Sequence, residues 1–192
     1  MIDITISVNS MEEAQAFLSM AQRLHSPVAM RNRLSEAMHP TVFWDIVAML
    51  QPDEEMSTRE EAAIQRLSTF TAEDILRFQD LLAEQLYALD TEVLARRMIV
   101  PYSYRPDAAF SGDHFLYARC YVVAKGKAYY DQVVSGALSF SGENTFEPLL
   151  YLAETAWERQ TGRDYEYLPT PSYETFSNLN GWEVSLVDRL LK

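Results

Sequence analysis

Residues Asp113 to Ala124 constrain the fold more than any other stretch, because they are apolar almost all round. Phe115, Leu116, Ala118, Cys120, Val122 and Val123 fall on every side of a helix with a 3.6-residue period. A helix without a polar face is stable in water only where neighbours cover it, so the segment predicts a central helix enclosed by others. A chain of 192 residues with 48% hydrophobic residues can supply such a core without metals or disulfides. Cys120, the single cysteine, lies inside the run, where a free thiol serves as a small buried hydrophobe. With no partner for a disulfide, it points to a reducing, cytoplasmic compartment.

The covering helices are read from their apolar stripes and caps. Ile75, Phe78, Leu82, Leu86, Leu89 and Val93 form the clearest stripe, opened by Thr71 as a cap with Asp74 in the first turn. Asp90-Thr91 marks a kink or restart before Ala95 to Val100, which Pro101 ends. Thr41 to Leu50 places Phe43, Ile46, Val47 and Leu50 on one face. Gly126 interrupts the central run, Lys127 to Val134 resumes it, and Ser135-Gly136 stops it. Asn144 and Glu147 have capping-box spacing, with Pro148 in the first turn, and a stripe from Phe146 to Trp157 ends at Gly162. Tyr165 to Tyr173 is irregular, and Glu183 to Leu191 forms a short closing helix.

The N-terminal part differs. Ile2, Ile4, Ile6 and Val8 alternate with polar residues as in a half-buried strand, and Ser10 with Glu13 opens a helix over about 11–24. A weaker helical stretch from Pro27 through Leu34 is closed by Pro40. The expected fold is therefore mainly α, a single multi-helix domain over 1–192 with one short N-terminal β-strand. Met1 to Thr5 carries no basic region ahead of an apolar stretch, so no secretory signal is expected. No segment approaches the roughly 18 uncharged apolar residues of a membrane helix.

The formal charge of −12 disfavours a phosphate-backbone partner, so no nucleic acid is expected. The charge is also uneven: residues 53–84 hold 9 acids and 3 bases, residues 143–192 hold 9 and 4, and residues 85–142 hold 5 and 6. Two acidic blocks thus flank a nearly neutral centre rich in tyrosine: Tyr102, Tyr104, Tyr117, Tyr121, Tyr129 and Tyr130. Tyrosine combines apolar area with a hydroxyl, so these residues read equally as core and as interface. Asp53, Glu54, Glu55, Glu60 and Glu61 in the first acidic block, with Tyr102 and Tyr104, are the candidate partner-binding residues.

No phosphate loop, Cys-x-x-Cys, His-Glu-x-x-His or Gly-x-Ser-x-Gly motif occurs, and the three histidines have no ligand spacing, so neither a cofactor nor a metal is expected. The local cluster that stands out is Ser111-Gly112-Asp113-His114-Phe115. Asp113 and His114, with Arg119, are the candidate ligand-binding residues. The competing reading makes Ser111 or Asp113 a helix cap and Phe115 a core anchor, and the residue types favour capping.

Those residues also carry a resemblance. Phe43-Trp44 opening a helix, Phe78, Ser111 to Phe115 with Arg119, Gly126 before Tyr129-Tyr130, Phe146-Glu147, Ala156, Thr161 and Gly162 are similar to the bacterial family known as domain of unknown function 4240. The resemblance covers roughly residues 41–163, leaving 1–40 and a C-terminal extension, 164–192, outside it. Gly112 stands where the family tends to have a second acid, and Cys120-Tyr121 replaces an aromatic-aliphatic pair. The resemblance implies a helical fold and no activity to inherit. Three functions remain in view. The favoured one is a non-catalytic protein-binding domain, most concretely an immunity or antitoxin-like protein covering a basic toxin with its acidic faces. The others are an enzyme or ligand binder with a pocket near Asp113 and His114, and a regulatory or scaffold module forming homo-oligomers through its tyrosines.

Overall fold

A computed structural model describes residues 37–52, 57–102 and 110–183, all but Ala37 within the unit Met38–Lys192. Pro40 stands at the first position of α1 (Pro40–Val47), where its fixed φ suits a helix start and its missing N–H removes nothing. Pro40 therefore opens a helix, a role the sequence reading did not give it; the stretch it was expected to close lies outside the described residues. Phe43, Ile46 and Val47 face inward from α1.

A helix that the sequence reading did not assign, α2 (Ser57–Leu67), follows. Its segment is rich in charge; of its described side chains Ala63 and Leu67 are buried and Ile64 packs against the core, a short stripe set among charged residues. Next comes α3 (Ala72–Leu89), where the Thr71 hydroxyl accepts the Asp74 N–H at 3.1 Å as the cap spacing predicted. Ile75, Phe78, Leu82, Leu86 and Leu89 are buried as expected. Val93 is not: it lies beyond the break at Asp90 and is 61% exposed. Helix α4 (Glu92–Tyr102) runs one residue past Pro101, because a proline in the last turn removes one N–H without preventing that turn from closing.

The apolar run forms α5 (Gly112–Ala124), and every residue from Ala118 to Ala124 is buried. It packs on α3, on α6 (Lys127–Ser135), and on a 3₁₀ turn (Glu147–Tyr151) that leads into α7 (Leu152–Thr161). Helix α7 in turn lies against α2 and α3. The breaks are those expected from glycine. Gly126, Gly136 and Gly162 have φ of 88°, 77° and 67°, the left-handed region that costs other residues free energy. Asn144 and Glu147 do not form a capping box; Phe146 occupies the cap position with no side-chain cap bond, and Glu147 instead accepts the Tyr151 hydroxyl at 3.0 Å.

Aromatic packing joins the elements. Phe43 meets Phe78 at 5.0 Å between α1 and α3, and Trp44 meets Tyr130 at 5.3 Å on α6. Each fully buried phenylalanine contributes about 1.5–3 kcal/mol of transfer free energy. The described residues form helices and no strand. The N-terminal strand, Ile2 to Val8, the stretches expected to be helical before residue 37, and the closing helix at 183–191 lie outside the described residues, apart from Glu183 itself.

Candidate functional site: a buried arginine and a C-terminal clamp

Helix α3 ends at the buried Asp90, where its last carbonyls lack the usual i+4 donors; the Asp90 and Thr91 amides turn back onto Tyr87 and Leu89, and Leu86 is left to be satisfied from elsewhere. The sequence meets this need from two distant places. Arg119, on the apolar helix α5, donates from Nη1 to the Leu86 carbonyl at 2.9 Å, and Asn178 donates from Nδ2 to the Tyr87 carbonyl at 3.1 Å. A guanidinium at this end also opposes the negative pole of the helix.

Arg119 is 0% exposed, so its charge needs compensation. Asp90, the residue at which α3 stops, supplies it: Oδ1 lies 4.0 Å from Arg119 Nη1, and both side chains are fully buried. The Asp90 carboxylate also accepts three N–H donors from the segment after α7. These are the Phe176 and Asn178 backbone amides at 3.2 and 3.0 Å and the Trp182 indole at 3.1 Å. Arg119 Nη2 reaches the same segment by donating to the Thr175 hydroxyl at 2.9 Å, and Thr175 donates onward to the Gly112 carbonyl at 2.7 Å. Burial pulls the Arg119 pKa down from its usual value while Asp90 opposes that shift. The guanidinium carbon stands 4.8 Å from the Phe115 ring centre, and Nε has no hydrogen-bond partner.

Gly181 shows how closely the clamp fits. A Cβ built there would stand 2.7 Å from the Asp90 carbonyl oxygen, closer than carbon and oxygen can approach. The Gly181 carbonyl itself accepts the Glu92 N–H at 2.8 Å, which ties the segment to the start of α4. Phe110, Phe115, Phe176 and Trp182 complete an aromatic cover, with Phe176 and Trp182 ring centres 4.6 Å apart.

The signature read from the sequence is distributed around this clamp. Ser111 caps α5 by accepting the His114 N–H at 3.2 Å, Phe115 is buried, and His114 donates from Nε2 to the Gly142 carbonyl at 2.7 Å. Asp113 is solvent-exposed. Of the three candidate ligand residues, Arg119 is thus enclosed by the clamp, His114 is half-buried and turned to a loop carbonyl, and Asp113 faces water. The sequence reading gives Asp90 only as a break between helices and does not single out Thr175, Asn178 or Trp182. The signal that could have found Asp90 is Arg119 itself, since a cation in the middle of an apolar run requires a buried anion.

Among the acidic candidates, Asp53, Glu54 and Glu55 lie outside the described residues, as do Tyr104 and the side chain of Tyr102. Glu61 on α2 is held by both Arg159 guanidinium nitrogens, at 2.7 and 3.1 Å, and by Gln65. Glu60, its neighbour, is half-buried, has one oxygen without a hydrogen-bond partner, and has its pKa raised by burial. Tyr121 and Tyr130 belong to the core, whereas Tyr117 and Tyr129 are partly exposed. Among the described residues, no group of three or more His, Cys, Asp or Glu is arranged to hold a metal, and no helix is long and apolar enough to cross a membrane.

These features define a helical domain whose internal charge pair closes a C-terminal segment over its central helix. Residues 38–159 match the model of the family described as protein of unknown function DUF4240, and the chain belongs to that family. No curated protein and no solved structure matches the chain. The match ends before Thr175, Asn178 and Trp182, although it contains both Asp90 and Arg119, which bind them.

Proposed function

We propose that the chain is a non-catalytic, cytoplasmic protein-binding domain that docks a basic protein partner through its acidic surfaces, most concretely as an immunity or antitoxin-like protein. The observation that carries this reading is the charge of −12, concentrated in two blocks. Such a surface draws in a basic partner by long-range steering and rejects anionic ones. The polar signature residues support it, since Ser111, His114 and Arg119 are engaged in internal hydrogen bonds.

The test is recovery of partners on the tagged full chain from its native cells at low salt. A basic protein that elutes as salt approaches about 0.5 M, where the Debye length falls to a few ångström, is the expected result. A clean monomer with no basic protein bound at low salt overturns the reading.

A further inference from the structure

A surface cleft of about 330 Å³ lies between α2 and the 3₁₀ turn leading into α7, lined by Glu60, Ile64, Glu147, Pro148, Tyr151, Leu152 and Thr155. Its lining combines apolar side chains, Ile64, Pro148 and Leu152, with two carboxylates. Tyr151 donates to the Glu147 carboxylate at 3.0 Å. That phenol orients Glu147 but leaves its charge in place. Among the described residues, neither Glu60 nor Glu147 has a cation within ion-pairing distance.

The same helix pair shows what is missing. One turn further along α7, Arg159 reaches across to α2 and grips Glu61 with both nitrogens. The α7 residue on the same face one turn earlier is Thr155, too short to reach Glu60 and without charge. A second groove, near Met38, Arg77 and Tyr167, lacks this vacancy: Asp74 is engaged by the Met38 amide and Thr71, Asp80 by Tyr167, and Arg77 supplies a cation.

We propose that the Glu60–Glu147 cleft is the seat for an arginine side chain of a protein partner, flanked by apolar residues that pack on Ile64, Pro148 and Leu152. The proposal rests on the protein-binding reading above and gives it a location. The guanidinium takes the position that an arginine at residue 155 would fill, between the Glu60 and Glu147 carboxylates, neither of which is ion-paired among the described residues. An arginine fits better than a lysine because its planar fork serves two carboxylates at once.

The probe is acetyl-Leu-Arg-Leu-amide, with the citrulline peptide as its neutral isostere, titrated into full-length protein carrying ¹³C-labelled isoleucine methyls. The Ile64 methyl is expected to shift saturably with the arginine peptide and at least fivefold more weakly with citrulline. Glu60→Gln and Glu147→Gln should each weaken binding at least threefold. Thr155→Arg, which supplies the cation from the chain itself, should abolish it with the fold intact by its methyl spectrum. No saturable Ile64 shift, equal binding of both peptides, or affinity unchanged in both glutamine variants overturns the proposal. If a basic partner is recovered from cells and binds both glutamine variants as well as the wild type, the cleft is wrong and the acidic docking reading stands. If the peptide behaves as expected but no basic protein is recovered, the docking reading falls.

Discussion

Replacing Asp90 by asparagine keeps the size of the side chain and removes its charge, which isolates what the clamp contributes. Arg119 would then be a fully buried cation with only the Leu86 carbonyl and the Thr175 hydroxyl as acceptors. The new amide would also direct its NH₂ at donors that Asp90 now accepts from Phe176, Asn178 or Trp182. Removing one partner of a buried pair costs about 3–5 kcal/mol, a large share of the roughly 5–15 kcal/mol that holds a domain folded. With a urea m-value of about 2 kcal/mol/M, the midpoint should fall by about 2 M. Tryptophan emission follows the transition directly, because the Trp182 indole is bonded to Asp90. Arg119→Met should cost less than Asp90→Asn, since an Asp90 left alone retains three N–H donors whereas an Arg119 left alone retains two neutral acceptors. The double variant should be more stable than the sum of the singles implies, by at least about 1 kcal/mol, as expected for groups in direct contact. A loss below about 1 kcal/mol for Asp90→Asn, or single effects that add within about 0.5 kcal/mol, would refute the clamp as an energetic unit.

Other consequences are separately measurable. Gly181→Ala forces its Cβ to 2.7 Å from the Asp90 carbonyl, so it should destabilise by about 1–3 kcal/mol in the same urea assay, and an unchanged midpoint would show that the segment yields freely. Arg159→Ala breaks the pair with Glu61, whose side chains are 40% and 45% exposed, so solvent and salt screen it and the urea midpoint should stay within assay error at physiological salt; a clear fall would contradict this. The Cys120 thiol is fully buried and pushed up to about 12, so it should resist a thiol reagent until the protein unfolds. Its folded pKa is above its unfolded one, so the unfolded chain loses the proton first. Its contribution to stability is therefore present below about pH 9 and declines between about 9 and 12. Tyr130, also pushed up to about 12, acts in the same direction from about pH 10, and a melting temperature that rises across this range would contradict both.

What was legible in the sequence followed from local rules. Thr71 and Ser111 cap helices, Gly136 and Gly162 end them, and the run from Ala118 to Ala124 is buried, because periodicity and backbone conformation act over a few residues. Helix α2 was less legible because its charged surface hides the two buried positions that anchor it. The clamp was hidden for a different reason. Asp90 bonds residues 86 to 92 positions away, and Arg119 bonds a residue 56 positions away, so no window of sequence contains the site. Its members look ordinary in isolation: an aspartate between two helices, a threonine, an asparagine and a tryptophan in an irregular tail. Only the arginine breaks a local rule, by placing a charge where every neighbour along the helix is apolar. That violation has to be offset by an anion brought from elsewhere in the chain, and Asp90 can serve only because the tail covers it with N–H donors. The tail and the charge pair therefore depend on one another: without residues 175–182 the carboxylate loses its donors, and without the pair the tail loses the acceptors that hold it against α5.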